Sequence, residues 1–142
     1  MVATVRMVFG VVACVAAILA AAGCGLLESS TSPTPTENPT ETFSGTLAPQ
    51  GTSMFTFTVT QAGSVSVTLT SLSSPSTAGV GLAIGTPSGT TTCTASSSTP
   101  NAVAGSAPQI TVAGIPGPYC VKLYDTGSLT AAATFTIHVT HS

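Results

Sequence analysis

The sequence predicts an all-β protein, a single antiparallel β-sandwich of about eight strands that follows a signal peptide and a disordered linker. Three observations lead to this prediction. The N-terminal segment has the residue pattern of an export signal, and the segment after it is rich in Ser, Thr and Pro. From Phe43 onward, apolar and polar residues alternate with a period of two, which is typical of strands with one buried face.

The N-terminal segment has the three parts of a signal peptide. Met1 to Arg6 carries one positive charge, and an apolar run from Met7 to Ala22 follows it. A helix of this run would reach roughly 24 Å, short of the ~30 Å hydrocarbon core, so a permanent transmembrane anchor is the weaker interpretation. The run closes on Ala22-Gly23-Cys24, which resembles the lipobox of bacterial lipoproteins, with Ala21 in place of the usual Leu. The resemblance implies cleavage before Cys24 and acylation of this cysteine.

An ordinary secretory signal, cleaved near Ala20 to Gly23, is the alternative. It would leave Cys24 as a free thiol in an oxidising compartment. Acylation explains Cys24 better, because an exposed and unpaired thiol would be a liability in that compartment. Two or three acyl chains also provide the stable attachment that one chain does not. Gly25 resembles the pattern of outer-membrane sorting in bacteria with two membranes. We therefore expect residues 1–23 to be removed and the mature protein to be lipid-anchored in the bacterial cell envelope, at the outer membrane or cell surface.

Residues 24–42 have the composition of a linker that begins with the acylated cysteine. The stretch from Gly25 to Thr42 is dominated by Ser, Thr and Pro. Pro33, Pro35 and Pro39 favour extended polyproline II geometry, so this stretch could hold the domain up to ~55 Å above the bilayer.

Residues 43–142 form the predicted sandwich. Its strongest strands alternate strictly, as where Phe55, Phe57 and Val59 share one face, and the weaker ones are short apolar runs bounded by turn residues. In chain order, the predicted strands are Phe43 to Leu47, Met54 to Thr60, Ser64 to Thr70, Val80 to Ile84, Thr91 to Ala95, Gln109 to Val112, Tyr119 to Tyr124 and Thr134 to Thr140. Turns are predicted at Pro87 to Gly89, Pro116 to Pro118 and Asp125 to Ser128. Ser96 to Ala107 lacks a pattern and is predicted to be a long surface loop, the expected place for mobility or binding.

The four cysteines leave one pair in the exported domain. Cys14 lies in the signal peptide and Cys24 is the acylation site, so Cys93 and Cys120 are predicted to form a disulfide. Loop closure over the 27 residues of their separation corresponds to about 3.5 kcal/mol of stabilisation. A metal site at this pair would need closer cysteine spacing or neighbouring histidines, and the sequence has neither.

Several segments together resemble the bacterial pre-peptidase C-terminal domain group, whose members are β-sandwich, jelly-roll-like modules often attached to secreted peptidases. The most distinctive of them is the Tyr-Cys-Val stretch with Tyr-Asp-x-Gly after it. The segments are Phe43 to Leu47, Met54 to Val59, Ser64 to Leu72, Gly81 to Gly85, Pro116 to Thr130 and Thr134 to Val139. The resemblance implies a sandwich fold and no catalytic residues.

The scarcity of charge excludes several kinds of site. The chain has six charged residues, and Arg6 and Lys122 are its only cations, so the basic surface that nucleic-acid binding requires is absent. A Ser-His-Asp triad would need Asp125 and His138, but strand parity places His138 on the solvent face and no Gly-x-Ser-x-Gly motif presents a nucleophile. His138 and His141 face opposite sides of a strand, so they predict no zinc site, and we expect the chain to fray at His141. One carboxylate in the domain is too few for a calcium site.

Two residues remain as candidate ligand contacts. Tyr124 shares its face with Cys120 and Lys122, whereas Tyr119 and the phenylalanines fall on inward positions. Asp125 is expected to start an Asp-Thr-Gly-Ser turn, with its carboxylate bonding the backbone two residues on and Gly127 at positive φ.

These residues predict a non-enzymatic lipoprotein with a role in envelope structure or in recognition of another protein, and with no cofactor and no metal. Its expected partners are membrane lipid, through Cys24, and an envelope protein. A carbohydrate-binding or adhesion module that uses Tyr124 and the Ser96 to Ala107 loop is the alternative, and a small hydrolase is a weaker third hypothesis.

Overall fold

The structure is a computed structural model that describes residues 37–73 and 79–142. The predicted signal peptide, Cys24 and the linker up to residue 36 lie outside the described residues. Over the described ranges, the regular secondary structure is entirely β-strand, and no helix there is long and apolar enough to span a bilayer. The all-β prediction is confirmed.

Eight strands make up the described part of the domain, one for each strand that the sequence predicts. They are β1 (Thr40–Leu47), β2 (Thr52–Val59), β3 (Gly63–Leu72), β4 (Val80–Ser88), β5 (Thr92–Ala102), β6 (Ile110–Gly114), β7 (Gly117–Asp125) and β8 (Ala133–Thr140).

The strands form two four-stranded sheets in which every neighbouring pair is antiparallel. The first sheet has the order β1-β8-β3-β6 and the second the order β2-β7-β4-β5. Each sheet buries one face against the other, because apolar residues occupy alternate positions along most strands. In β8, for example, Phe135, Ile137 and Val139 are buried while the residues between them are partly exposed. The predicted sandwich is confirmed.

The core is built almost entirely from aliphatic and phenylalanine side chains. Strands β3, β7 and β8 lie inside their sheets and contribute fully buried residues such as Val67, Val121 and Ile137. Each such side chain contributes about 1.5–3 kcal/mol of burial free energy. Leu129 is also buried, although it lies in the connection between β7 and β8, outside every predicted strand.

Strand β5 corrects the predicted Ser96 to Ala107 loop. The strand runs to Ala102 and pairs with β4 along its length, so only residues 103–109 connect it to β6. It lies at the edge of its sheet, where backbone pairing holds it and most of its Ser and Thr side chains face solvent. Apolar alternation is therefore missing from the sequence although the strand is present.

Other strand ends differ from the prediction by a few residues. Strand β1 begins at Thr40, so Glu41 belongs to the sheet and its backbone pairs with Val139. Pro87 lies within β4, and β7 begins at Gly117, inside a predicted turn. Pro87 and Pro118 are accepted because the pairing between β4 and β7 ends at Gly85 and Cys120, so each proline lies where its strand pairs on one side only. A residue without a backbone N–H then leaves no acceptor of a neighbouring strand unpaired.

Candidate functional site

The sandwich has two distinct ends, and the chain enters it at one of them. This proximal end comprises the start of β1, the end of β8, the β2–β3 turn, residues 89–91 and the turn at Ile115 and Pro116. The opposite, distal end comprises residues 48–51, 103–109 and 126–132. Both ends carry connections, which is where binding residues most often lie on a rigid scaffold.

Asp125 organises the distal end. Its carboxylate accepts hydrogen bonds from the backbone N–H of Gln50 at 2.8 Å, Gly127 at 3.0 Å, Ser128 at 2.9 Å and Leu129 at 3.1 Å. The bond from Gln50 is the main cause that lowers the pKa of Asp125, and the other three act in the same direction against desolvation. The carboxylate therefore stays ionised and joins two connections that are far apart in sequence.

The predicted Asp-Thr-Gly-Ser turn is confirmed. The bond from Gly127 N–H is the expected one two residues on, and Gly127 has a φ of 97°. Both carboxylate oxygens of Asp125 already accept bonds from the protein's own backbone. Its contribution at this end is to position the turn, and a direct ligand contact stays a prediction.

The connection from β1 to β2 holds a strained residue against Asp125. Gln50 has a φ of 57°, the left-handed region that residues other than glycine rarely occupy. The turn is closed by the Gly51 N–H, which donates to the Ala48 carbonyl at 2.8 Å. The Asp125 N–H donates to the Gly51 carbonyl at 3.0 Å, so backbone and side chain of one residue both fix the turn.

Gln109 fixes the third distal connection. Its side-chain oxygen accepts the Leu69 N–H at 2.6 Å, and its Nε2 donates to the Val103 carbonyl at 3.0 Å. The Gly105 N–H also bonds the Leu69 carbonyl at 2.9 Å. This connection presents Val103, which is 51% exposed, in a fixed backbone frame. Sequence reasoning missed Gln109, because nothing in a polar stretch marks which amide will meet a strand 40 residues away.

Tyr124 lies on the outer face of the second sheet, as its strand parity predicts. Its neighbours across the sheet are Thr52 on β2 and Gly81 on β4. The ring lies directly over Gly81, where any Cβ would overlap it. The Lys122 ammonium is 5.2 Å from the ring centroid, and no carboxylate of residues 37–73 and 79–142 is within ion-pair distance of it. Tyr124 and Lys122 thus form an aromatic surface with a neighbouring positive charge.

The predicted disulfide between Cys93 and Cys120 is present, with a Cα–Cα distance of 5.8 Å. It joins β5 to β7, the two strands on either side of β4 in the sheet. Gly85 lies opposite Cys120, and a Cβ there would overlap the backbone of Thr94. The bridge therefore holds the edge strand β5 close to the interior of the sheet.

His141 corrects a second expectation, since it is not frayed but 3% exposed. It continues the inward parity of β8, and its ring stacks on Phe57 at a centroid distance of 5.4 Å. Its Nε2 is 3.0 Å from the Glu41 carboxylate, and its Nδ1 is 3.3 Å from the Ser142 carbonyl. Both ring nitrogens face oxygen acceptors, so this side chain joins the two ends of the described domain at its proximal end.

The remaining titratable groups form no cluster in the part of the chain described. His138 lies half-buried on the outer face of the first sheet and faces away from His141, as parity predicts. Asp125 lies on the second sheet and bonds to backbone N–H groups rather than to a histidine. Across residues 37–73 and 79–142, no three His, Cys, Asp or Glu side chains come together as metal ligands.

Tyr119 anchors the turn at the proximal end. It is partly buried against the core, and its ring stacks on Phe57 at 5.7 Å. Its hydroxyl accepts the Ile115 N–H at 3.1 Å. This bond holds Ile115 at the tip of the β6–β7 turn.

Comparisons with known proteins give no assignment, because no family model and no curated protein matches the chain.

Proposed function

We propose that this protein is a non-enzymatic lipoprotein of the bacterial cell envelope that recognises another protein through the distal end of its sandwich. The observation that carries the proposal is that the chain enters at one end, whereas the connections fixed by Asp125 and Gln109 lie at the other. A lipid anchor at Cys24 would hold the proximal end toward the membrane. The distal connections would then be free to meet a partner.

The distal end has the physical properties of a recognition surface. The hydrogen bonds that Asp125 accepts and that Gln109 makes already order its backbone, so binding of a partner would cost little further conformational entropy. Val103 supplies an exposed apolar side chain among polar residues, and protein–protein interfaces have an apolar centre with a polar rim. We therefore expect Val103 to be a central contact.

The anchor and the partner are tested separately. Intact mass of the protein from its native membrane should match cleavage before Cys24 plus acyl chains, and an unacylated mass would overturn the lipoprotein assignment. A photo-reactive residue placed at Val103 in living cells should then give one discrete protein adduct. The matched control is the same residue at Thr111, an exposed position on edge strand β6. No adduct, or the same adducts from both positions, would overturn recognition through the distal end.

We also propose a second candidate function, binding of an acidic saccharide on the outer face of the second sheet. Tyr124 lies over Gly81, and the Lys122 ammonium lies over the Tyr124 ring, 5.2 Å from its centroid, without a carboxylate partner among the described residues. An aromatic ring suits the apolar face of a sugar, and the Lys122 charge complements a uronate. Calorimetric titration with uronate oligosaccharides should show at least tenfold weaker binding for Tyr124→Ala, about 1.4 kcal/mol. Tyr119→Phe is the matched control. Equal affinities of the two variants for the oligosaccharides, or no binding by the unchanged protein, would remove this candidate.

A further inference from the structure

The two well-exposed large apolar side chains of the described residues lie at opposite ends of the sandwich. Val103, at the distal end, is 51% exposed, and Ile115, at the proximal end, is 70% exposed. Ile115 sits at the tip of a turn of four residues, Gly114 to Gly117, between β6 and β7. A single exposed aliphatic residue is ordinary on a protein surface, so its place in the fold decides what it can do.

The backbone of Ile115 is held at the tip of its turn. Its N–H is bonded to the Tyr119 hydroxyl at 3.1 Å, and the Tyr119 ring is stacked on Phe57 inside the sandwich. Pro87, Pro116 and Pro118 surround the tip. Their rings add apolar surface, and proline has no backbone N–H to be desolvated. The apolar surface at this tip is lined by Thr86, Pro87, Ile115, Pro116, Pro118 and Tyr119. The turn therefore presents a fixed apolar tip to whatever lies beyond the proximal end.

Charge at the proximal end supplies no attraction to an anionic lipid surface. The Glu41 carboxylate is 3.0 Å from His141 Nε2, and Glu37, which is exposed just before β1, would be repelled by anionic headgroups. Asp125 lies at the distal end, and Lys122 lies on the outer face of the second sheet. Burial of apolar side chains is thus the main interaction that could attract this end to a bilayer.

The chain outside the described residues limits how far this end can be from the anchor. From Cys24 to the start of β1 at Thr40 there are about 15 connecting residues, which span at most ~50 Å when fully extended. Such a tether confines the domain near the membrane and raises the effective concentration of the tip at the lipid surface. It does not by itself orient the domain.

We propose that the Ile115 tip inserts into the interfacial region of the bilayer that holds Cys24 and thereby orients the distal end outward. The inference rests on the proposed lipid anchor. Burial of an exposed isoleucine favours the docked state by on the order of tenfold once the tether has removed most of the cost of association. Docking would keep the distal connections at the greatest distance from the membrane.

The test uses the absence of tryptophan from the chain. A chain that starts at Cys24 is coupled through that thiol to a maleimide lipid in phosphatidylethanolamine and phosphatidylglycerol vesicles. Thr90→Trp reports on the proximal end, and Ala104→Trp reports on the distal end, since both positions are exposed. Brominated lipids should quench the first reporter and leave the second unquenched.

The decisive comparison changes Ile115 while the reporter stays the same. In the Thr90→Trp background, Ile115→Ser should lower the ratio of docked to undocked protein about tenfold, equivalent to 1.4 kcal/mol. Val103→Ser is the matched control at the other end and should change nothing. Equal quenching of the two reporters, or quenching that Ile115→Ser leaves unchanged, would overturn the docking. Because the synthetic anchor replaces the natural one, an unacylated mass for the native protein would overturn the proposed anchor independently.

Discussion

Removal of the disulfide tests how the edge strand β5 is held. Replacing Cys93 and Cys120 by alanine releases a loop of 27 residues in the unfolded chain. The loop-closure relation gives about 3.5 kcal/mol at 25 °C for a loop of this size. This is a large share of the 5–15 kcal/mol that stabilises an ordinary domain.

The assay is urea unfolding of the oxidised protein and the double alanine variant under the same conditions. We expect the midpoint to fall and the free energy of unfolding to drop by about 3.5 kcal/mol. Hydrogen exchange supplies the local measurement. Amides of β5 should lose protection more than those of β3, because β5 pairs with one neighbour and β3 with two.

Two results would refute this reasoning. A loss below about 1 kcal/mol would mean that the bridge does not restrict the unfolded chain as the loop-closure relation assumes. Uniform loss of protection across β3 and β5 would mean that the bridge does not act on the edge strand in particular. The single variant Ser98→Ala, at an exposed position of β5, is the control for a change in that strand without loss of the bridge.

Three further changes test the packing described above. Gln50→Gly should raise the free energy of unfolding by about 0.5–1 kcal/mol, because glycine adopts the φ of 57° without strain; an unchanged urea midpoint would contradict this. Gly81→Ala should cost about 1–3 kcal/mol, because a methyl group would displace the ring of Tyr124. The same change in a Tyr124→Ala background should cost much less, and equal costs would place the ring elsewhere. The pKa of Asp125 lies below its ordinary value of 3.8, so the stability it contributes is complete above that pH and is lost as the pH falls through the lowered native value. Asp125→Asn should therefore flatten the pH dependence of the unfolding midpoint below about pH 4, and an unchanged acid limb would count against the role of its hydrogen bonds.

Strands with strict alternation were predictable because their burial follows from local sequence. Along β8, every second residue is apolar, and each of them is buried. The polar half of β5 was not predictable, because backbone pairing with β4 rather than side-chain burial makes it a strand. The same distinction explains Leu129, whose burial depends on the turn that Asp125 organises and not on a periodic pattern.

The candidate site was predictable only where its contacts are local. The turn at Asp125 has a sequence signature within four residues, and the structure confirms it. The bond from Gln50 to Asp125 joins residues 75 apart, and the contact of His141 with Glu41 joins residues 100 apart. Contacts across such separations depend on strand order, which periodicity does not encode.

The sequence by itself determined the all-β class, the number of strands, the cysteine pair and the turn at Asp125, because each depends on alternation, elimination or local hydrogen bonding. The tertiary structure alone decided which strands are neighbours, and with them the two ends of the sandwich. It brings the Gln50 turn to Asp125, Gln109 to β3, and His141 to Glu41. It also places Ile115 at the end where the chain enters and Val103 at the other. These placements follow from the pairing of strands distant in sequence, whose energies are summed over the whole core rather than over any one segment.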